Sequence, residues 1–173
     1  EKEHKSGSEG RFGIGLPAKS DGQMLFMLNG ISKLKDTGHM AIIQNGSSLF
    51  TGDAGSGPSE IRRYIIENDW LDAIVQLPND SFYNTGIATY VWIITKDKPE
   101  SHREHVLLID ASKCFEQRRK PIGNKRVDIT EVCRNLIIKA YGDYESNTYE
   151  KTIADGKNVV VKSKRLEAIS LGY

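Results

Sequence analysis

The chain has no proline pair. Its five prolines stand apart at Pro17, Pro58, Pro78, Pro99 and Pro121. Cysteine is almost missing too, with only Cys114 and Cys133 in 173 residues. Two isolated cysteines give neither metal-ligand spacing nor a disulfide framework, which predicts a reducing compartment, the cytoplasm, and no metal site. No apolar run reaches the roughly 18 residues that a membrane-spanning helix needs, so no membrane partner is expected. Glu1-Lys2-Glu3-His4-Lys5 lacks the apolar stretch of a signal peptide. Net charge is only +1, which argues against a surface that binds polyanions everywhere. No Gly-Lys-Ser/Thr ending follows any glycine-rich loop, so a Walker-type phosphate loop is excluded. Phe12-Gly13-Ile14-Gly15 has nucleotide-turn spacing, but no strand precedes it and Pro17 stands where the helix should open.

What is present reads as one soluble α/β domain. Apolar residues make up 38% and charged residues 27%, ordinary for a globular chain with a real core. Residues 1–20 lack periodicity and read as a leading loop. Met24, Met27, Leu28, Ile31 and Leu34 fall on one face at helical spacing, predicting a helix over 21–35 with Ser20 and Gln23 as its capping box and Gly38 as its stop. His39–Gln44 reads as a short buried strand, and Asn45–Gly57 as a glycine-rich loop. Pro58 and Glu60 open a helix that runs to about Asn68, with Ile61, Tyr64 and Ile65 inward. Leu71–Leu77 is the next strand, so strand, helix and strand form a parallel crossover. Val106–Asp110 is a further strand. A helix follows over about 128–141, capped by Asp128 with Glu131 and stopped at Gly142, with Cys133 in the core. Residues 143–173 are weakly patterned, with one short strand at Val159–Val161 and helical turns from Ser163 to Leu171.

Leu77-Pro78 to Thr95 holds the sharpest signal. One apolar run stops at Pro78, and a second, Ile87–Thr95, begins nine residues later. The second run has almost no polar alternation, so it reads as a strand buried on both faces inside the sheet. A short reversal of this kind closes a doubly wound sheet. The loop carries Phe82 and Tyr83 at the carboxyl end of a strand, where open α/β sheets place ligands. An aromatic pair there either tucks into the core or receives something flat.

A second feature is local charge. Lys113, Arg118, Arg119, Lys120, Lys125 and Arg126 stand against Glu116 alone between 113 and 126. Such a run is either a solvated loop or a set of phosphate contacts, with Arg118, Arg119, Lys120, Lys125 and Arg126 as the candidates.

Residues of about 11–141 resemble the later half of the catalytic domain of type I restriction–modification modification subunits, which are adenine-specific DNA methyltransferases. The resemblance rests on Gly38-His39-Met40-Ala41, the Asn45-Gly46 to Gly57 loop, Glu60-Ile61-Arg62-Arg63, Leu77-Pro78 and Val106-Leu107-Leu108-Ile109-Asp110-Ala111-Ser112. Its most specific part is Phe82-Tyr83-Asn84-Thr85-Gly86-Ile87-Ala88-Thr89. It implies a partial doubly wound, methyltransferase (Rossmann-like) α/β sheet, with parallel strands plus an antiparallel strand near the C-terminal end of the sheet. On that fold 39–44 and 71–77 point the same way, and 88–95 runs antiparallel between them. Residues 21–142 then form the later half of the catalytic domain, and 143–173 an extension.

The resemblance further implies S-adenosylmethionine as cofactor, DNA as substrate, and the sequence-specificity and restriction subunits as partners. Phe82, Tyr83 and Thr85 fall in the target-base pocket, with Phe82 favoured as the stacking ring. The family's glycine-rich cofactor turn and its catalytic Asn-Pro-Pro-Phe/Tyr have no counterpart here, so the chain is expected to be a piece inactive alone. It would supply one wall of the base pocket, with no catalytic residue of its own. Two other readings stay open: a module contacting DNA backbone or sister subunits, and an unrelated doubly wound nucleotide-binding domain.

Overall fold

A computed structural model describes residues 5–10, 12–19 and 21–172, and Ser20, the expected helix cap, lies outside them. Helix α1 spans Gln23–Lys33 and buries Met24, Met27, Leu28 and Ile31, the predicted stripe. Asp21 serves its first turn, accepting from the Gln23 amide at 3.1 Å. The helix stops at Lys33 because Leu34 turns extended. Strand β1 is His39–Asn45. A single helical turn, α2 at Ser47–Phe50, interrupts the expected loop. Helix α3, Gly57–Glu67, has Pro58 in its first turn and buries Ile61, Arg62, Ile65 and Ile66. Strand β2 is Leu71–Gln76 and β3 is Thr89–Thr95. Then come β4 (His105–Lys113), β5 (Glu116–Ile122), β6 (Lys125–Asp128) and helix α4 (Glu131–Asp143). Strands β7 (Asn147–Thr152) and β8 (Asn158–Glu167) close the chain, followed by a 3-10 turn at Ala168–Leu171.

The main sheet has the order β1-β3-β2-β4-β8-β7. β3 runs antiparallel to both β1 and β2 and lies between them, as expected. β1 and β2 therefore point the same way. Trp92 on β3 sits opposite Ile42 on one side and Ile74 on the other. β2 and β4 form the parallel pair, and β8 and β7 extend the sheet antiparallel. Side chains alternate between faces along each strand, which splits the core in two. One half packs Ile74, Trp92 and Ile94 under α1 and α3. The other packs Ala73, Val75, Leu107 and Ile109 with Cys133 and Ala140 of α4.

Five expectations change. β1 is not buried: it pairs only with β3 among the described residues, its exposure alternates, and Ile43 is 52% exposed. The basic segment is not a loop but the β5–β6 hairpin, turning at Gly123-Asn124. Gly123 has φ +59°, which a tight hairpin turn requires. Asp128 does not cap α4. It belongs to β6, and Thr130 holds the cap position. Gly142 does not stop α4, which runs on to Asp143 and closes on Tyr144 at φ +50°. Tertiary contacts hold that left-handed residue, since the Tyr144 hydroxyl donates to the Asp72 and His105 carbonyls. Finally, Ser163–Glu167 is strand, not helix, because each residue there pairs with β4.

Candidate nucleic-acid interface

The aromatic loop leaves β2 at Leu77 and returns into β3. The Leu77 amide donates to Thr89 O at 2.9 Å and closes its neck. Ser81 Oγ donates to Pro78 O at 2.7 Å, and Phe82 bridges to Thr85. Thr85 Oγ1 accepts from the Ile87 amide at 3.3 Å, so Thr85 shapes the turn. The two rings part company. Phe82 is half-buried against the core beneath α4, whereas Tyr83 is 61% exposed.

The hairpin, distant in sequence, lies against this loop. The Asn124 amide donates to Tyr83 O at 2.8 Å. The Arg126 and Val127 amides donate to Asp80 O at 2.9 and 3.3 Å. A side chain at Gly123 would place its Cβ 2.6 Å from Tyr83 O and 2.9 Å from the ring's Cε2. The loop of the candidate aromatics and the hairpin of the candidate cations are thus joined at their main chains.

The five cations are not equivalent. Arg118 Nη1 donates to both Asp128 oxygens at 2.7 Å, and Lys125 Nζ sits 3.2 Å from Asp128 Oδ1. The hydrogen bond from Arg118, reinforced by Lys125, holds the Asp128 carboxyl below the usual carboxylate range. Arg119, Lys120 and Arg126 are exposed and make no ion pair among the described residues.

Two polar features near the ends of the strands escaped sequence reasoning. Gln23 Nε2 donates to Asn45 Oδ1 and Ser47 Oγ at 2.9 Å, and Gln23 Oε1 accepts from the Asn45 amide at 2.9 Å. This net ties the end of β1 to the start of α1. Arg62 Nη1 donates to Thr51 O at 2.9 Å and Ser48 O at 3.3 Å, pinning α2 on α3. Burial pulls its guanidinium below the ordinary value. Beside it lies a cavity of about 590 Å³ lined by Phe50, Arg62, Gln76, Tyr90, Trp92 and Asp110.

Cys114 and Cys133 are buried free thiols. Burial, then the neighbouring Cys133, pushes the Cys114 thiol far up, so it stays protonated. Among the described residues, no group of three or more His, Cys, Asp or Glu side chains is placed to hold a metal ion. No helix among them is long and apolar enough to cross a membrane.

The strand order with β3 reversed between β1 and β2 defines a methyltransferase-type α/β sheet. The N-6 DNA methylase family matches residues 1–166, and the chain belongs to that family. It is similar to the MjaIX type I restriction enzyme methylase subunit of Methanocaldococcus jannaschii, 28% identical over 81% of this chain and 24% of that protein. It is also similar to the EcoKI methylase subunit of Escherichia coli, 27% identical over 72% of this chain and 23% of that one. Among solved structures, a type I restriction–modification methyltransferase subunit from Streptococcus thermophilus superposes with a TM-score of 0.66. It is 32% identical and matches 76% of this chain and 26% of its own. The chain spans about a quarter of the length of these relatives.

β1 leads through Gly46 into the single turn α2, and Gly52, Gly55 and Gly57 follow before α3.

Proposed function

We propose that this chain serves S-adenosylmethionine-dependent N6-methylation of adenine in DNA, as part of a type I modification subunit. In this role it acts with the sequence-specificity and restriction subunits of the same system. Its share is one wall of the target-base pocket and a hairpin that touches the DNA backbone. The observation that carries the reading is the set of three main-chain bonds joining the aromatic loop to the cationic hairpin. An adenine must leave the duplex to be methylated, and an aromatic face offsets part of the unstacking cost. Phosphate contacts next to that face hold the strand while the base is out.

Burial favours Tyr83 over Phe82 as the stacking ring. Tyr83 presents its ring to solvent, while Phe82 is half-buried in the core under α4. Asn-Pro-Pro-Phe/Tyr, which holds the adenine amine in the family this chain resembles, is not among these 173 residues. The chain alone is therefore expected to transfer no methyl group. The test is Tyr83→Ala in a complete modification subunit carrying this segment. Methyl transfer to DNA should collapse while folding and cofactor affinity persist. Unchanged methylation would reject the base-wall role.

A further inference from the structure

We propose that the β5–β6 hairpin is a strap that positions Tyr83, with Gly123 as the residue that sets the ring, so that phosphate capture and base stacking act as one unit. The inference rests on the reading of the aromatic loop as a base wall. It goes further by assigning the positioning to a segment outside that loop.

The hairpin is irregular in a way that suits this task. Its register runs Glu116↔Asp128 and Gln117↔Val127, then slips before Ile122↔Lys125. The slip falls in Arg118-Arg119-Lys120-Pro121, and Pro121 has no amide hydrogen to donate. A regular ladder is interrupted there, and β6 turns to the aromatic loop instead. The Arg126 and Val127 amides share Asp80 O, and the Asn124 amide takes Tyr83 O. Asp80 and Tyr83 bracket Phe82, so the loop is held before its aromatic pair and at Tyr83 itself. Asp80 itself has φ +57°, a conformation that the strap helps to hold.

Gly123 closes the contact. Its φ of +59° suits glycine, and the missing Cβ leaves the space that Tyr83 occupies. Glycine is required twice, once for the turn and once for the ring. Meanwhile the slipped stretch carries Arg119 and Lys120 outward, and Arg126 is exposed on the facing strand. The backbone of the hairpin therefore holds the ring while its free cations meet phosphate. The ligand class is an unpaired deoxynucleotide with its flanking phosphates.

The test uses a single-stranded oligodeoxynucleotide carrying 2-aminopurine, whose fluorescence falls when the base stacks on a ring. Binding to the 173-residue chain is read by anisotropy over a salt series, and stacking by quenching. The unaltered chain should bind and quench. Tyr83→Ala should lose the quench and keep the salt slope. Gly123→Ala should do the same, because the ring is displaced and the cations remain. Gly123→Asn tolerates positive φ but adds the Cβ, so it separates crowding from turn strain and should also lose the quench. Gly156→Ala is the strain control, since Gly156 has φ +82° and open space around its Cβ position. It should keep the quench. Replacing Arg119, Lys120 and Arg126 together by alanine should flatten the salt slope by about 2, at roughly 0.7 per phosphate contact on a single strand. If both Gly123 variants quench normally while Tyr83→Ala does not, the strap is wrong and the base wall stands. If Tyr83→Ala quenches normally, or the unaltered chain never quenches, the base wall fails and takes the strap with it.

Discussion

His102 lies flat on Tyr144, with ring centroids 3.4 Å apart and planes 7° from parallel. The stack covers Asp72, a carboxylate that is only 1% exposed near the start of β2. His102 Nδ1 sits 3.0 Å from Asp72 Oδ1, and the Tyr141 hydroxyl donates to Asp72 Oδ2. The Tyr144 hydroxyl donates to Asp72 O at 2.9 Å. One side chain thus ties β2 to the β3–β4 connection and to α4. Arg165 of β8 lies over the Tyr144 ring, 5.6 Å from its centroid, and brings that strand to the same cluster.

Removing its centre should be costly. Asp72→Ala leaves a histidine and a tyrosine hydroxyl without their buried partner, and should lower stability by about 3 kcal/mol. The knot also predicts alkaline sensitivity. Burial, then the hydrogen bond to Asp72, pushes the Tyr141 hydroxyl above its ordinary value of 10.0. Burial, then the Asp72 charge, does the same to Tyr144. A raised folded value means that above about pH 10 the unfolded chain releases protons the folded chain retains. Stability is therefore whole below about pH 10 and falls as pH rises further. Urea unfolding across that range should show the decline, and Tyr141→Phe should make it shallower. A decline unaffected by Tyr141→Phe would remove this hydroxyl from the account.

Asp128 restrains the hairpin's charge. It pairs with both Arg118 and Lys125, so one unit of the charge on the five candidate cations is offset in place. Asp128→Asn should free both, tighten DNA binding and steepen its salt dependence. The pair is at the surface, so the loss of stability should stay below about 1 kcal/mol. Weaker DNA binding in this variant would mean that the pair holds the hairpin in its binding shape and does not hold charge back.

The sheet's centre was legible in the sequence because burial there leaves a plain mark. The run to Thr95 lacks polar alternation, and β3 has neighbours on both sides, although Ile87 at its start is exposed and outside the strand. The Met24 to Ile31 stripe likewise placed α1. Where charge dominates, the mark is weaker. Arg118, Arg119 and Lys120 disguised β5, although Gly123-Asn124 is a recognised hairpin turn signal. In β8, Val159, Val161 and Ser163 are buried and Lys162 and Lys164 exposed, a period of two that could have been read as far as Lys164. The pairing of Asp128 with Arg118 needed coordinates. So did the contact between Gly123 and Tyr83, which joins positions forty residues apart in number.

The cofactor offers a direct check on what these residues hold. Binding S-adenosylmethionine needs a strand, a glycine-rich turn and a helix in sequence, with an acidic residue beyond. Here the four-residue α2 stands between β1 and Gly52, Gly55 and Gly57, which lead into α3, so strand, turn and long helix are not consecutive. Calorimetric titration of the 173-residue chain should show no saturable heat. One-to-one binding would locate a cofactor site within it and overturn the assignment of this segment to the base wall alone.

Phe82 and Tyr83 are adjacent, yet their substitutions should separate stability from recognition. Phe82 packs against the core under α4, so Phe82→Ala should destabilise the fold by about 2 kcal/mol, less than a fully buried ring would. Tyr83 is 61% exposed and should cost well under about 1 kcal/mol when cut to alanine. On the nucleic-acid side the order reverses. Stacking on an exposed ring is worth about 1–3 kcal/mol per base, so Tyr83→Ala should weaken binding of an unpaired adenine by roughly 5- to 150-fold. Phe82→Ala, measured where the chain is still folded, should weaken it far less. Urea melts and oligonucleotide titrations on the two variants give four numbers. Were Phe82→Ala to lose base binding with stability intact, the ring order inferred from burial would be reversed, and the half-buried side chain would be the one that meets the base.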